Sequence, residues 1–192
     1  DIIDYGTYQD GNINLASPSA NGSHVGGYIV FKEGTQQVDL RIGSSFISYE
    51  QASYNLEKAI PTTASFEDTK EKVKDSWNHY LSKVQLEGAS KDELQIYYTA
   101  LFHTLQFPRE TSEHGKYFSA FDSKIHEGVS YNDYSLWDTF RAEHPWLQLI
   151  APERVNDMIQ SLVQMYQEGG WLPKWPNPTY RNIMIGTHAD AV

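Results

Sequence analysis

The chain has no cysteine, which excludes disulfides, thiolate metal sites and cysteine nucleophiles together while leaving oxidising and reducing compartments both open. It is poor in cations. Lys and Arg number 15 against 25 for Asp and Glu, a formal net charge of -10, so there is no basic footprint for phosphates, and nucleic acid and anionic membrane surfaces are excluded as partners. Apolar runs reach only a few residues, far short of a membrane span. Asp1 stands where an initiator Met or a signal peptide would open a nascent chain, so the N-terminus reads as processed or cut. Also missing are a Gly-x-Ser-x-Gly elbow, a phosphate-binding Gly-rich loop, a His-Glu-x-x-His zinc motif and any internal repeat.

What is abundant is aromatic. Residues Phe, Trp and Tyr make up 14% of the 192 positions, with 13 Tyr and 5 Trp, and four of the Trp (Trp137, Trp146, Trp171, Trp175) fall in the last third of the chain. Core packing accounts for any one of them. As a group they also fit sugar recognition, because pyranose rings present C–H faces that stack on indoles while their hydroxyls engage polar neighbours.

The first 44 residues are rich in Gly, Ser and Asn, with alternating stretches at Val25 to Phe31 and at Val38, Leu40 and Ile42. Period two on either side of Glu33-Gly34-Thr35 predicts a β-hairpin, and so few strands imply part of a larger β unit. The period then becomes helical. Ser65 to Asp68 and Ser90 to Glu93 are capping-box patterns ahead of two amphipathic helices. A third helix is expected from about Ser135 to Leu149, and a fourth from Pro152 to Gly169-Gly170. Helix following helix with no strand between them points to an all-α second part. Gly186 to Val192 stops as a new apolar helical pattern begins, which reads as truncation.

Three segments carry candidate chemistry, each with a plainer reading beside it. On one continuous helix Asp138 and Arg141 would share a face with Trp137 and His144 close by, and carboxylate, guanidinium and ring could converge on a ligand; a structural i,i+3 ion pair is the alternative. Two Gly and three Pro around Trp171 and Trp175 make a stiff loop able to display an indole at low entropic cost, or an Ω-loop packing its own side chains. In Gly186-Thr187-His188-Ala189-Asp190 a Gly approach could aim His188 and Asp190 into a cleft, although His-x-Asp lacks the ligand count of a zinc site and a lone His is more often buried and satisfied.

Taken in order, Tyr134 to Arg141 with His144-Pro145, then Gly170 to Trp175, then Met184 to Asp190 resemble glycoside hydrolase family 92. Ser48 to Ala52 with Asn55-Leu56, and Tyr98 to Thr104 with Pro108-Arg109, resemble that family's linker and first barrel helix, so the resemblance runs from about Val38 to Val192. It implies a mixed fold: the end of an N-terminal β-sandwich over residues 1–44, a helical linker over 45–84, and the first part of an (α/α)6 barrel over 85–192. It further implies an inverting exo-α-mannosidase, calcium-dependent, acting on terminal α-linked mannose, α-1,2-linked by expectation. The general acid, the general base and the calcium ligands are expected beyond Val192. Sugar-contact roles are carried over to Asp138 and Arg141 at hydroxyls, Trp175 as a stacking wall, and His188 and Asp190 at the pocket floor. The implied partner is a mannose-containing glycan, with the remainder of the same polypeptide or a second copy as the protein partner. A bacterial source and a secreted or periplasmic location are the accompanying expectations. The rival reading from another class is a carbohydrate-binding module using the same Trp-rich surface without hydrolysis, and a third is a purely structural helical interaction domain.

Overall fold

The computed structural model describes residues 2–178 and 184. The chain divides into two compact units, Asp1–Leu40 and Arg41–Val192.

The first unit is an antiparallel sheet of β1 (Ile2–Gln9), β2 (Asn12–Leu15) and β3 (Val25–Phe31) in the order β2-β1-β3. β3 lies where its alternation predicts it, but its partner is β1 and not the segment at 38–42. Two reciprocal pairs set that register: Tyr28 stands opposite Gly6, and Tyr8 opposite Gly26. Each phenol lies across the glycine, where a Cβ would meet ring or hydroxyl atoms at 2.6 Å or less, so the glycines are the space that the tyrosines occupy. The expected turn at Glu33-Gly34 does form, with Thr35 N–H donating to the Lys32 carbonyl at 3.1 Å and Gly34 at φ 84°. The chain after it runs on without pairing back, and Leu40 and Ile42 are exposed. Partner choice here was decided by side-chain fit across strands, which alternation does not encode.

The second unit opens with α1 (Tyr49–Ala59), α2 (Phe66–Leu81) and α3 (Lys91–Thr104). The Ser65/Asp68 and Ser90/Glu93 capping boxes both form, each Ser accepting from the N3 amide while the N3 carboxylate accepts from the cap amide. These local bonds satisfy donors that a helix start leaves orphaned. Four short strands then intervene where helix-to-helix order was expected: β4 (Arg109–Glu110) pairs with β7 (Tyr131–Asn132), enclosing the hairpin of β5 (Lys116–Ser119) and β6 (Lys124–Glu127). This part is therefore mixed rather than all-α, and the fold as a whole is mixed α and β.

The predicted helix at 135–149 is split into α4 (Leu136–Thr139) and α5 (Glu143–Ile150). Pro145 accounts for the split. In one continuous helix its ring would clash with the Arg141 carbonyl and its missing N–H would break the ladder, whereas in the first turn of a restarted helix neither cost arises. α6 (Pro152–Gly169) begins on Pro152 and ends with Gly170 at φ 82°, as the sequence predicts. One core gathers Tyr131, Tyr134, Leu136, Leu147, Met158 and Met165; a second joins Leu101 to Ile150 and Ala151, with Tyr80, Tyr97 and Trp146 packed against it.

Candidate functional site

The segment from Tyr131 to Asp138 is pinned to α6 by buried polar bonds. Ser161 Oγ accepts from the Tyr131 amide at 2.8 Å and donates to the Asp157 carbonyl at 2.6 Å, while Tyr134 Oη donates to the Met158 carbonyl at 2.8 Å. Satisfied bonds of this kind specify one arrangement, because any alternative would strand a polar group out of water. At Asp133 the backbone turns at φ 65°, a conformation Asp tolerates better than most residues. Its carboxylate, 6% exposed, accepts from Arg109 Nε at 2.6 Å, and its amide donates to the Pro176 carbonyl at 3.0 Å. One residue thus links β4, the turn before α4 and the Trp-containing loop.

Asp138 sits on α4 with its carboxylate exposed, accepting from Ser135 Oγ at 2.5 Å. Arg141 lies past the end of that helix, its guanidinium 5.5 Å from the Phe140 ring centre. Phe140 keeps helical backbone angles, φ -61° and ψ -28°, so Arg141 still follows Asp138 by about one turn, but its guanidinium lies by the Phe140 ring while the Asp138 carboxylate is bonded to Ser135. Trp137 is partly buried and its Nε1 has no hydrogen-bond partner among the described residues. His144 Nε2 lies 2.8 Å from Thr139 Oγ1, which itself donates to the Ser135 carbonyl at 3.1 Å. Burial holds the His144 ring below its ordinary pKa, so the neutral ring joins α5 to α4.

In the loop 171–178, Pro176 is fully buried and Trp175 partly buried, while Trp171 is 80% exposed. The indole that this loop presents most openly is Trp171. Trp146 packs into the second core. His188 and Asp190 lie outside the described residues.

Two carboxylates stand out by their burial. Among the described residues Glu113, 9% exposed, accepts from neutral donors alone: Ser45 Oγ, the Phe46 amide at 2.7 Å and Asn55 Nδ2 at 2.8 Å. Both its oxygens are thereby occupied, and it ties the start of the unit to the β4–β5 segment. Glu143 is partly buried beside Tyr97, Leu101 and Trp146, and burial raises its pKa above the ordinary carboxylate value. Among the described residues there is no group of three or more His, Asp or Glu able to hold a metal ion, and calcium takes six to eight oxygen ligands. The described residues do not fit a calcium site. Also among them, no helix is long and apolar enough to cross a membrane.

In the sequence Pro108-Arg109 belongs only to the family resemblance, and no motif marks a role for Arg109, Glu113 or Asp133. The signal available for Asp133 was Asn132-Asp133 between apolar residues, a turn pattern. Nothing local marks Arg109 as its partner 24 positions away.

A family model described as the glycosyl hydrolase family 92 catalytic domain matches residues 51–192. No curated protein matches the chain. Among solved structures the chain is similar to a family GH92 inverting mannosidase from Bacteroides thetaiotaomicron VPI-5482, with 33% identity and a TM-score of 0.84 over 98% of this chain and 26% of that one. It is also similar to a GH92 family glycosyl hydrolase at 21% identity and a TM-score of 0.70, over 90% of this chain and 25% of that one, a likeness of fold. The chain spans about a quarter of the length of both.

Proposed function

The chain belongs to glycosyl hydrolase family 92, and from that premise we propose that it is part of an inverting exo-α-mannosidase that removes terminal α-linked mannose from glycans, α-1,2-linked mannose foremost. The observation that carries this reading is the likeness, along nearly the whole chain, to a mannosidase of inverting type. In this reading residues 1–44 are the last strands of a β-sandwich, 45–84 a helical linker and 85–192 the opening part of an (α/α)6 barrel. The exposed apolar side chains on both sheet and helices, among them Ile3, Leu15, Leu149 and Ile159, support it, because such surface is normally covered in a finished domain.

Asp138 and Arg141 take hydrogen bonds with mannose hydroxyls, Trp175 forms a wall of the pocket, and His188 and Asp190 its floor. The exposure of the Asp138 carboxylate and of Arg141 agrees with ligand contact rather than with an internal ion pair. None of the described residues is assigned as general acid or base. Inversion needs two carboxyls roughly 6.5–9.5 Å apart with room for a water, and Glu113, the most buried described glutamate with a full set of donors, is occupied structurally. Calcium is used by the intact enzyme in this reading, through ligands outside the described residues. A bacterial, secreted or periplasmic setting completes the proposal.

The test is hydrolysis of α-linked mannobioses by the intact protein, followed by proton NMR of the first-formed sugar. Release of β-mannose, lost on chelation and restored by calcium, is the expected result. Retention of the α-anomer would refute inversion, and saturable glycan binding without hydrolysis would replace the enzyme by a binding module.

A further inference from the structure

The hairpin of β5 and β6 has no role in the reading above, yet polar side chains fasten it to the last turn of α6. Tyr117 Oη donates to the Glu168 carboxylate, and His126 Nε2 lies 3.9 Å from the same group. That nitrogen is also 3.0 and 3.1 Å from the two oxygens of Asp122. We infer that Glu168 is a positioning residue: held by Tyr117, it sets the direction in which α6 releases the loop 171–178, and so the place of the wall against which the terminal mannose rests. The inference rests on the mannosidase reading above, in which Trp175 is that wall.

Three observations converge. The first is that local energetics oppose a carboxylate here. The Glu168 side chain is only 9% exposed, it stands in the last turn of α6, where the helix macrodipole disfavours negative charge, and a second carboxylate, Asp122, shares its His126 nitrogen. For stability alone an apolar side chain would serve as well. A residue that breaks local rules and is nonetheless held by its neighbours marks a place shaped by function.

The second observation is how firmly it is held. Tyr117 is 4% exposed, and burial together with the bond to Glu168 raises its pKa, so the phenol keeps its proton and remains the donor. An ionised carboxylate only accepts, so His126 Nε2 carries a hydrogen towards Asp122. The His126 ring is stacked on Tyr117, with centres 5.5 Å apart and planes inclined by 23°.

The third is position in the chain. Glu168 is followed by Gly169, by Gly170 at φ 82° and then by Trp171. Two glycines would let the chain depart in many directions. Phe121, in the turn between β5 and β6, narrows the choice, because a Cβ on Gly169 would lie 2.5 Å from its ring. Further along, the Pro176 carbonyl accepts from the Asp133 amide at 3.0 Å. The loop is thus anchored near both ends, and the Tyr117–Glu168 bond is the polar anchor of the first.

The test is steady-state hydrolysis of α-linked mannobiose by the intact protein and by its Tyr117→Phe, Glu168→Leu and Glu168→Gln variants and the Tyr117→Phe/Glu168→Leu double variant, each assayed well below its melting temperature. Phenylalanine deletes the hydroxyl alone, leucine deletes the acceptor, and glutamine keeps an oxygen that accepts from Tyr117. A displaced wall weakens ground state and transition state alike, so KM should rise about three- to tenfold in Tyr117→Phe and Glu168→Leu, with kcat within about twofold of wild type. Glutamine should keep KM within about twofold of wild type, and the double variant should be no worse than the worse single one, because both changes remove the same bond. Lowered melting temperatures with unchanged KM would reduce Glu168 to a structural role, and a fall in kcat at constant KM would place it in the chemistry itself; either result overturns the inference. If Glu168→Leu does not fold, Tyr117→Phe decides by the same criteria. A wild-type protein that hydrolyses no mannoside refutes the mannosidase reading and the positioning role with it, an outcome distinct from the other two.

Discussion

Arg109 and Asp133 form an ion pair of 2.6 Å with one partner open to water and the other almost fully enclosed, 57% against 6% exposed. The asymmetry matters because Asp133 also fixes the Pro176 carbonyl through its amide. Losing the carboxylate would loosen a junction between three segments, not merely a surface charge.

Asp133→Asn is accordingly expected to lower stability by about 1–2 kcal/mol, since a hydrogen bond to a charged group is worth about 1.5–3 kcal/mol and Arg109 can recover water. Thermal unfolding should show a melting temperature roughly 3–6 °C lower. Asp133→Ala should cost more, because alanine tolerates φ 65° poorly. Equal stability of wild type and both variants would show that the junction does not depend on Asp133.

Asp138→Asn should damage turnover far more than folding. The Asp138 side chain is exposed and bonded to Ser135 Oγ. Loss of a charge-assisted bond to a sugar hydroxyl should reduce kcat/KM about ten- to a hundredfold, with stability changed by roughly 1 kcal/mol or less. A kcat/KM equal to wild type would remove Asp138 from the site.

Glu113→Gln places an amide NH2 where a carboxylate oxygen now accepts from Ser45 Oγ and Asn55 Nδ2. Donor would face donor. A cost of about 2–3 kcal/mol is expected in urea unfolding, with an unchanged m-value. A neutral outcome would mean that these bonds rearrange freely and that the segment at Ser45 and Phe46 is not clamped.

Glu143 and His144 are adjacent and bias stability in opposite directions with pH. Burial raises the Glu143 pKa above 4.5, so the folded state holds this proton longer than the unfolded one; its contribution is present below pH 4.5 and is lost as pH rises through the raised value. Burial lowers the His144 pKa below 6.5, so the unfolded state takes up this proton first; its contribution is present above pH 6.5 and is lost as pH falls through the lowered value. Glu143→Gln should thus raise the melting temperature at pH 7, by about 1–3 °C, with a gain that vanishes by pH 4. A gain independent of pH would show that the carboxyl titrates normally.

Local chemistry written in consecutive residues was legible without a structure. The Ser65 and Ser90 capping boxes, the Pro152 start and the Gly170 stop fix helix ends within one turn of chain, and the alternation at Val25 to Phe31 marks a strand because period two is itself local. The order of motifs from Tyr134 to Asp190 was likewise enough to suggest the family. What the tertiary structure decided were the relations between distant residues. β3 took β1 as partner because Tyr8 and Tyr28 fit over Gly26 and Gly6. The two-residue strands β4 and β7 are too short to show any period. Arg109 meets Asp133 where β4 pairs with β7, and the helix expected over 135–149 restarts at Glu143 beside Pro145. Caps and periods act over a few bonds of chain, whereas strand pairing and burial of a carboxylate depend on where distant segments come to rest.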